Sequence, residues 1–113
     1  MHLLSKMIEI NKNYFDKEIL KDDFVLVDFW APWCGPCRIV GHVLDKLSNE
    51  YLNKVKFTKM NVDANHEIAA KHNVRGIPCM IMFNKGKEID RIIGAYPEEV
   101  LRSKIDLILS KKL

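Results

Sequence analysis

Cys34 and Cys37 are separated by Gly35 and Pro36. Two thiols at that spacing can exchange two electrons with a disulfide; the same spacing can also supply half of a zinc site. The pair follows the apolar run Phe24–Trp30 and opens an amphipathic stretch, so it falls where a strand ends and a helix begins. Backbone N–H groups and the dipole at a helix amino terminus favour a thiolate. Cys34 stands at that start, open to solvent, with Cys37 about one turn further in. Cys34 is therefore expected to attack a substrate disulfide, and Cys37 to displace the reduced product. Asp28 interrupts the same apolar run, where burial disfavours its charged form and raises its pKa; the plainer alternative is a solvated carboxylate at the strand end. A zinc site built from Cys34, Cys37 and Cys79 with His42, His66 or His72 is the rival chemistry. It has no second CxxC and no closely spaced histidine pair, and it gives Pro36 and the tryptophans nothing to do, so no metal is expected.

The elements that must position these groups alternate in type. Residues 7–10 alternate in polarity and read as a short strand. Asn11 and Asn13 can cap a helix over about 13–20 that turns Phe15, Ile19 and Leu20 inward. Residues 24–30 form a strand buried on both faces. Val40, Val43, Leu44, Leu47 and Tyr51 share one face of a helix over about 35–50. A strand at 55–62, a short helix at 66–72 ending before Asn73, and a second apolar strand at 79–83 follow. Asn84-Lys85-Gly86-Lys87 signals a turn into a hairpin partner at 88–93. Pro97 opens a last helix carrying Leu101, Ile105 and Ile108 on one face. The order β-α-β-α-β-α-β-β-α is an α/β fold with a central mixed sheet flanked by helices.

The chain has 113 residues, 48% hydrophobic and 29% charged, which suits one ordered globular unit. Its 18 basic and 15 acidic residues are spread along the chain, so neither nucleic acid nor a membrane surface is an expected partner. Lys111 and Lys112 read as a solvated helix end. Three cysteines are too few, and odd in number, for a disulfide framework. The MHLLSKM start lacks the apolar stretch and small-residue cleavage site of a secretory signal, so a cytoplasmic location is expected.

The segment Phe29-Trp30-Ala31-Pro32-Trp33-Cys34-Gly35-Pro36-Cys37 resembles the active-site segment of thioredoxins. The likeness continues at Val27-Asp28, Lys59-Met60-Asn61-Val62-Asp63, Arg75-Gly76-Ile77-Pro78 and Gly94-Ala95, in order across about residues 8–110. It implies a thioredoxin fold of about five strands and four helices, formed as a single domain over 1–113 with 1–6 as a loose N-terminal extension. It implies a protein-disulfide reductase with a Cys34–Cys37 redox disulfide, working as a monomer on client proteins with disulfides. No cofactor would be bound, and electrons would come from NADPH through thioredoxin reductase. Asp28 would exchange a proton with Cys37 through water, and Lys59 on the neighbouring strand would modulate Asp28. Ile77-Pro78 resembles the family's cis-proline segment; the alternative is a proline that merely starts a strand. With Trp33, Gly35, Pro36, Val62 and Gly76, and with Ile93, Gly94 and Ala95, that segment would form a flat apolar docking surface. Trp30 is the tryptophan expected to pack, Trp33 the one expected to touch a client. The Gly-Pro pair between the cysteines resembles thioredoxins rather than protein disulfide isomerases or glutaredoxins, which favours a reductant.

Two positions depart from the family pattern. His42 stands where a helix proline is usual, so the helix is expected to be straighter, with Gly41 lending flexibility and with altered stability or potential rather than lost activity. As a catalytic base His42 is disfavoured; an exposed or satisfied helical histidine is the better reading. Cys79 stands where threonine is common, either as a small buried hydrophobe or as a thiol able to be oxidised or to compete for Cys34. A thioredoxin-fold binding module with incidental cysteines is the third reading, opposed by the intact Trp33-Cys34-Gly35-Pro36-Cys37 segment with Asp28.

Overall fold

The computed structural model describes residues 7–111, so the expected loose extension at 1–6 and the terminal Lys112 lie outside the described residues. The elements run β1 (Ile8–Glu9), α1 (Phe15–Glu18), β2 (Phe24–Trp30), α2 (Gly35–Glu50), β3 (Lys56–Asn61), α3 (His66–Lys71), β4 (Cys79–Asn84), β5 (Lys87–Ile93) and α4 (Glu98–Lys111). The sheet order is β1-β3-β2-β4-β5. β2 lies in the middle, parallel to β3 and antiparallel to β4, with β1 outside β3 and β5 outside β4. A strand so placed loses water on both faces, which is why Val25 to Phe29 are all buried and why the segment reads as a continuous apolar run.

Alternate residues of β2 serve two cores. Leu26 joins Met80 and Met82 against Val40, Leu44 and Leu47 of α2 and Leu101, Ile105 and Ile108 of α4. Val25, Val27 and Phe29 join Met60, Ile81 and Phe83 on the other face, where Phe15, Ile19 and Ala69 cover them. Arg102 of α4 reaches Glu50 of α2 with two hydrogen bonds of 2.8 and 2.9 Å, tying the two helices of the first layer together.

Several boundaries differ from those read in the sequence. α1 is a single turn capped at Tyr14, with no side-chain cap. Asn11 does not cap it; its Oδ1 instead accepts the Asn13 N–H at 2.9 Å in a local turn. Leu20 lies beyond the end of α1, so the helical face that would have turned it inward has ended, and it is 63% exposed. Val43 is only partly buried at the edge of the α2 face. The β4–β5 turn places Lys85 and Gly86 at φ +51° and +84°, the left-handed pair that a two-residue hairpin needs. A Cβ at Gly86 would collide with Leu20 as well. The register then shifts between Met82 and Phe83, which pair with Asp90 and Glu88, leaving Ile89 as the extra residue.

Leu44, fully buried between sheet and helices, is expected to lose about 2–5 kcal/mol on Leu44→Ala in urea unfolding. Leu20→Ala, at an exposed position, is expected to change stability by less than about 1 kcal/mol. Equal losses at the two sites would contradict this division between core and surface.

Candidate active site

The end of β2 passes through Ala31, Pro32 and Trp33 before α2 begins. A turn closes there, with the Cys34 N–H donating to the Ala31 carbonyl at 3.1 Å. Cys34 is the residue that caps α2, in extended conformation (φ −88°, ψ 106°), and its Sγ accepts the Cys37 N–H at 3.1 Å. Pro36 occupies the first turn, where a missing N–H costs no helix hydrogen bond. Cys34 and Cys37 are joined as a disulfide with Cα atoms 5.2 Å apart. With Ala31 they form a small buried cluster against which Trp30, Val62 and Ile77 pack. Those neighbours cover Cys34 more than its place at the helix start implied: it is 5% exposed, and Cys37 is 2% exposed.

The Ile77–Pro78 peptide is cis. The Pro78 carbonyl accepts the Gly94 N–H at 2.9 Å, which joins this segment to the end of β5. Gly94 lies at φ +109°, a conformation side-chain-bearing residues rarely adopt. Ile93 is exposed, and its Cγ2 borders the open space beside Gly76. Trp33, 70% exposed, donates from Nε1 to Asp63 Oδ2 at 2.9 Å beside Val62. Pro36, Gly76 and Ala95 are exposed, and Gly35, Val62, Ile77 and Gly94 partly so. The segments expected to form a docking surface thus converge around the disulfide. Asp63, to which the sequence alone assigns no role, is the addition: it holds the exposed indole, and that contact spans 30 residues.

Asp28 lies within β2, the strand that leads into the dithiol. It is 1% exposed, paired in the ladder with Lys59 on one side and Met80 on the other. Its Oδ1 has no hydrogen-bond partner among the described residues. Burial pushes its pKa up to about 7, against the pull of the Lys59 ammonium and with a further push from Asp45. Lys59 Nζ lies 5.1 Å from the centroid of the Trp30 ring, in cation–π contact, and the partly buried Trp30 is the packing tryptophan as expected.

Cys79 belongs to the other layer, clustered with Phe29, Met60 and Ile81 rather than with the dithiol. Burial raises its thiol pKa, so it behaves there as a small hydrophobe. His42 is exposed on α2, which runs without interruption from Gly35 to Glu50. Among the described residues no group of three or more His, Cys, Asp or Glu side chains is placed to hold a metal ion. No described helix is long and apolar enough to cross a membrane.

A cysteine pair that can open and close at a helix amino terminus, with a buried carboxyl in the strand leading into it and exposed apolar residues beside it, is the working part of a thiol–disulfide oxidoreductase. The thioredoxin family model matches residues 6–107. A thioredoxin of Porphyra purpurea is 44% identical over 97 residues, covering 85% of this chain and 91% of that one. Thioredoxin 1 of Nostoc sp. is 38% identical over 104 residues, covering 91% and 97%. The solved structure of a mutant thioredoxin from Halobacterium salinarum superposes with a TM-score of 0.83 at 27% identity, over 96% of this chain and 95% of that one. The chain belongs to the thioredoxin family, with the mixed five-stranded sheet and four helices of that fold. It is a protein-disulfide reductase, of a family that needs no bound cofactor.

The raised pKa of Asp28 has a definite sign for stability. The folded carboxyl keeps its proton up to about pH 7, whereas the unfolded one loses it near its ordinary value of 3.8. The fold therefore binds more protons across that window, and its stability falls as pH rises from about 4 to 7. Asp28→Ala is expected to be more stable than the parent at pH 8, by a few kcal/mol at most, with the gain shrinking towards pH 4. Thermal unfolding at several pH values reads this directly. A gain that does not vary with pH would show that Asp28 is not the titrating group.

Proposed function

We propose that Cys34 is the attacking thiolate and Cys37 the resolving thiol. The observation that carries this assignment is Cys34 at the cap of α2, its sulfur already receiving the Cys37 N–H. In the reduced protein the Cys34 thiolate attacks one sulfur of a client disulfide. A mixed disulfide forms, and the other client sulfur leaves as a thiolate that takes a proton from water. Cys37 then gives its proton to the Asp28 carboxylate and attacks Cys34 Sγ. The second client thiolate leaves and is protonated in turn. The client gains two electrons and two protons, and the protein becomes the Cys34–Cys37 disulfide. A carboxyl with a pKa of about 7 is matched to that proton transfer near neutral pH. Lys59 tempers the value by favouring the charged form.

The client segment lies extended along Ile77, its backbone pairing with that residue and its apolar side chains resting on Trp33, Gly35, Pro36 and Val62. Gly76, Pro78, Ile93, Gly94 and Ala95 complete the surface. Thioredoxin reductase returns the disulfide to the dithiol with electrons from NADPH. The chain acts as a monomer and as one domain over residues 1–113. It works in the cytoplasm, a compartment that keeps thiols reduced and so suits a protein that spends its own dithiol.

Reduction of insulin disulfides by dithiothreitol tests the assignment. The parent chain is expected to accelerate it, and Cys34→Ser and Cys37→Ser each to lose at least about 100-fold of that acceleration. Cys37→Ser is further expected to accumulate the mixed disulfide, visible by mass. A folded parent chain without activity would leave a binding module as the reading.

A further inference from the structure

The four arginines of the chain divide into two kinds. Arg102 binds Glu50, Glu98 and Glu99, and Arg91 binds Glu88 through two hydrogen bonds of 2.7 Å and the His72 carbonyl at 2.8 Å. Arg38 and Arg75 are exposed, and neither side chain has an ion-pair or hydrogen-bond partner among the described residues. These two are the arginines next to the dithiol. Arg38 directly follows Cys37, and its N–H donates to the Cys34 carbonyl at 3.3 Å. Arg75 stands two residues before Ile77, which packs against the cysteine pair.

Little acid offsets them. The segments that meet at the dithiol carry two carboxylates, Asp28 and Asp63. Asp28 is buried and keeps its proton up to about pH 7. Asp63 is exposed and engaged by the Trp33 indole. Elsewhere the protein neutralises its arginines with glutamates. A guanidinium left free is a planar donor that matches a carboxylate through two parallel hydrogen bonds.

We propose that Arg38 and Arg75 form a cationic rim around the dithiol that selects client disulfides flanked by acidic residues. This rests on the reductase reading of the same site and specifies its substrate class. The rim acts before chemistry, by steering encounter and orienting the bound disulfide. Any effect of the arginines on the Cys34 thiolate itself is the same for every client. The test therefore compares clients rather than absolute rates.

Two synthetic peptides, each with one intramolecular disulfide and differing only in aspartate or lysine beside the cysteines, serve as probes. Their second-order reduction by the dithiol form is measured by stopped-flow tryptophan fluorescence. At about 20 mM salt the aspartate peptide is expected to react about ten times faster, and at about 300 mM the ratio should fall to about two. Arg38→Glu/Arg75→Glu should invert the low-salt ratio. Lys54→Glu/Lys85→Glu makes the same change in net charge at exposed positions beyond the far ends of α2 and β4, and should leave the ratio within about twofold of the parent. A parent ratio near one, a ratio indifferent to the arginine reversal, or an equal response to the lysine reversal would each overturn the rim while leaving the reductase reading intact. Failure of the parent dithiol to reduce either peptide would overturn the reductase reading and the rim together.

Discussion

Everything in this molecule depends on where the amino terminus of α2 meets the end of β2. The unpaired N–H groups and dipole of a helix are felt only within its first turn. A sulfur must therefore sit at the cap itself to be stabilised as an anion, and Cys34 does. Holding that cap in place needs both partners of the junction rigid. β2 is fixed by neighbours on both sides and by a core on each face. α2 is fixed by Val40, Leu44 and Leu47 against the sheet and by the Arg102–Glu50 pair to α4. The apolar patterning of half the chain thus serves to aim one backbone amide at one sulfur.

The same strand carries the cost of the chemistry. Placing Asp28 among Leu26, Val27 and Phe29 works against folding wherever the carboxyl is charged, because burial disfavours the ionised form. Alternation along β2 decides who bears it: Asp28 shares the α2 side with Leu26, while Val25, Val27 and Phe29 face the opposite core. The carboxyl is confined to the layer that also holds the dithiol. Cys79 clusters on the opposite side.

What is legible in the sequence follows the range of the interactions involved. Strands buried on both faces and the long amphipathic α2 write their patterns in contiguous residues, so β2, β4 and α2 are readable, as is the dithiol at the junction of β2 and α2. Asp28 stands out because a carboxylate in such a run is an anomaly. α1 is overextended in the sequence reading because one helical turn is too short to establish a period; a neighbouring turn, not the helix, then sets the place of Leu20. The shielding of Cys34 comes from Val62 and Ile77, which arrive from distant segments. The Trp33–Asp63 hydrogen bond is of the same kind: the need of an indole N–H for a partner is visible, the identity of the partner is not. The layer occupied by Cys79 requires the register of β4 against β2, where it faces Phe29, and no local pattern encodes that.

His42 shows how a departure from the family pattern can be absorbed. A proline there would break one intrahelical hydrogen bond, whereas histidine keeps it, and α2 continues through to Glu50. Gly41 beside it weakens the helix by about 1 kcal/mol relative to alanine. Nothing lies within 4 Å of a Cβ built at Gly41, so no packing contact demands the glycine. His42 itself is exposed. Residues 41 and 42 therefore set the stiffness of α2 without touching the sulfurs. The anchor residues Val40 and Leu44 bracket the pair, and both are fully buried. The first turn of α2 is held by Val40 and by the disulfide, on the near side of Gly41.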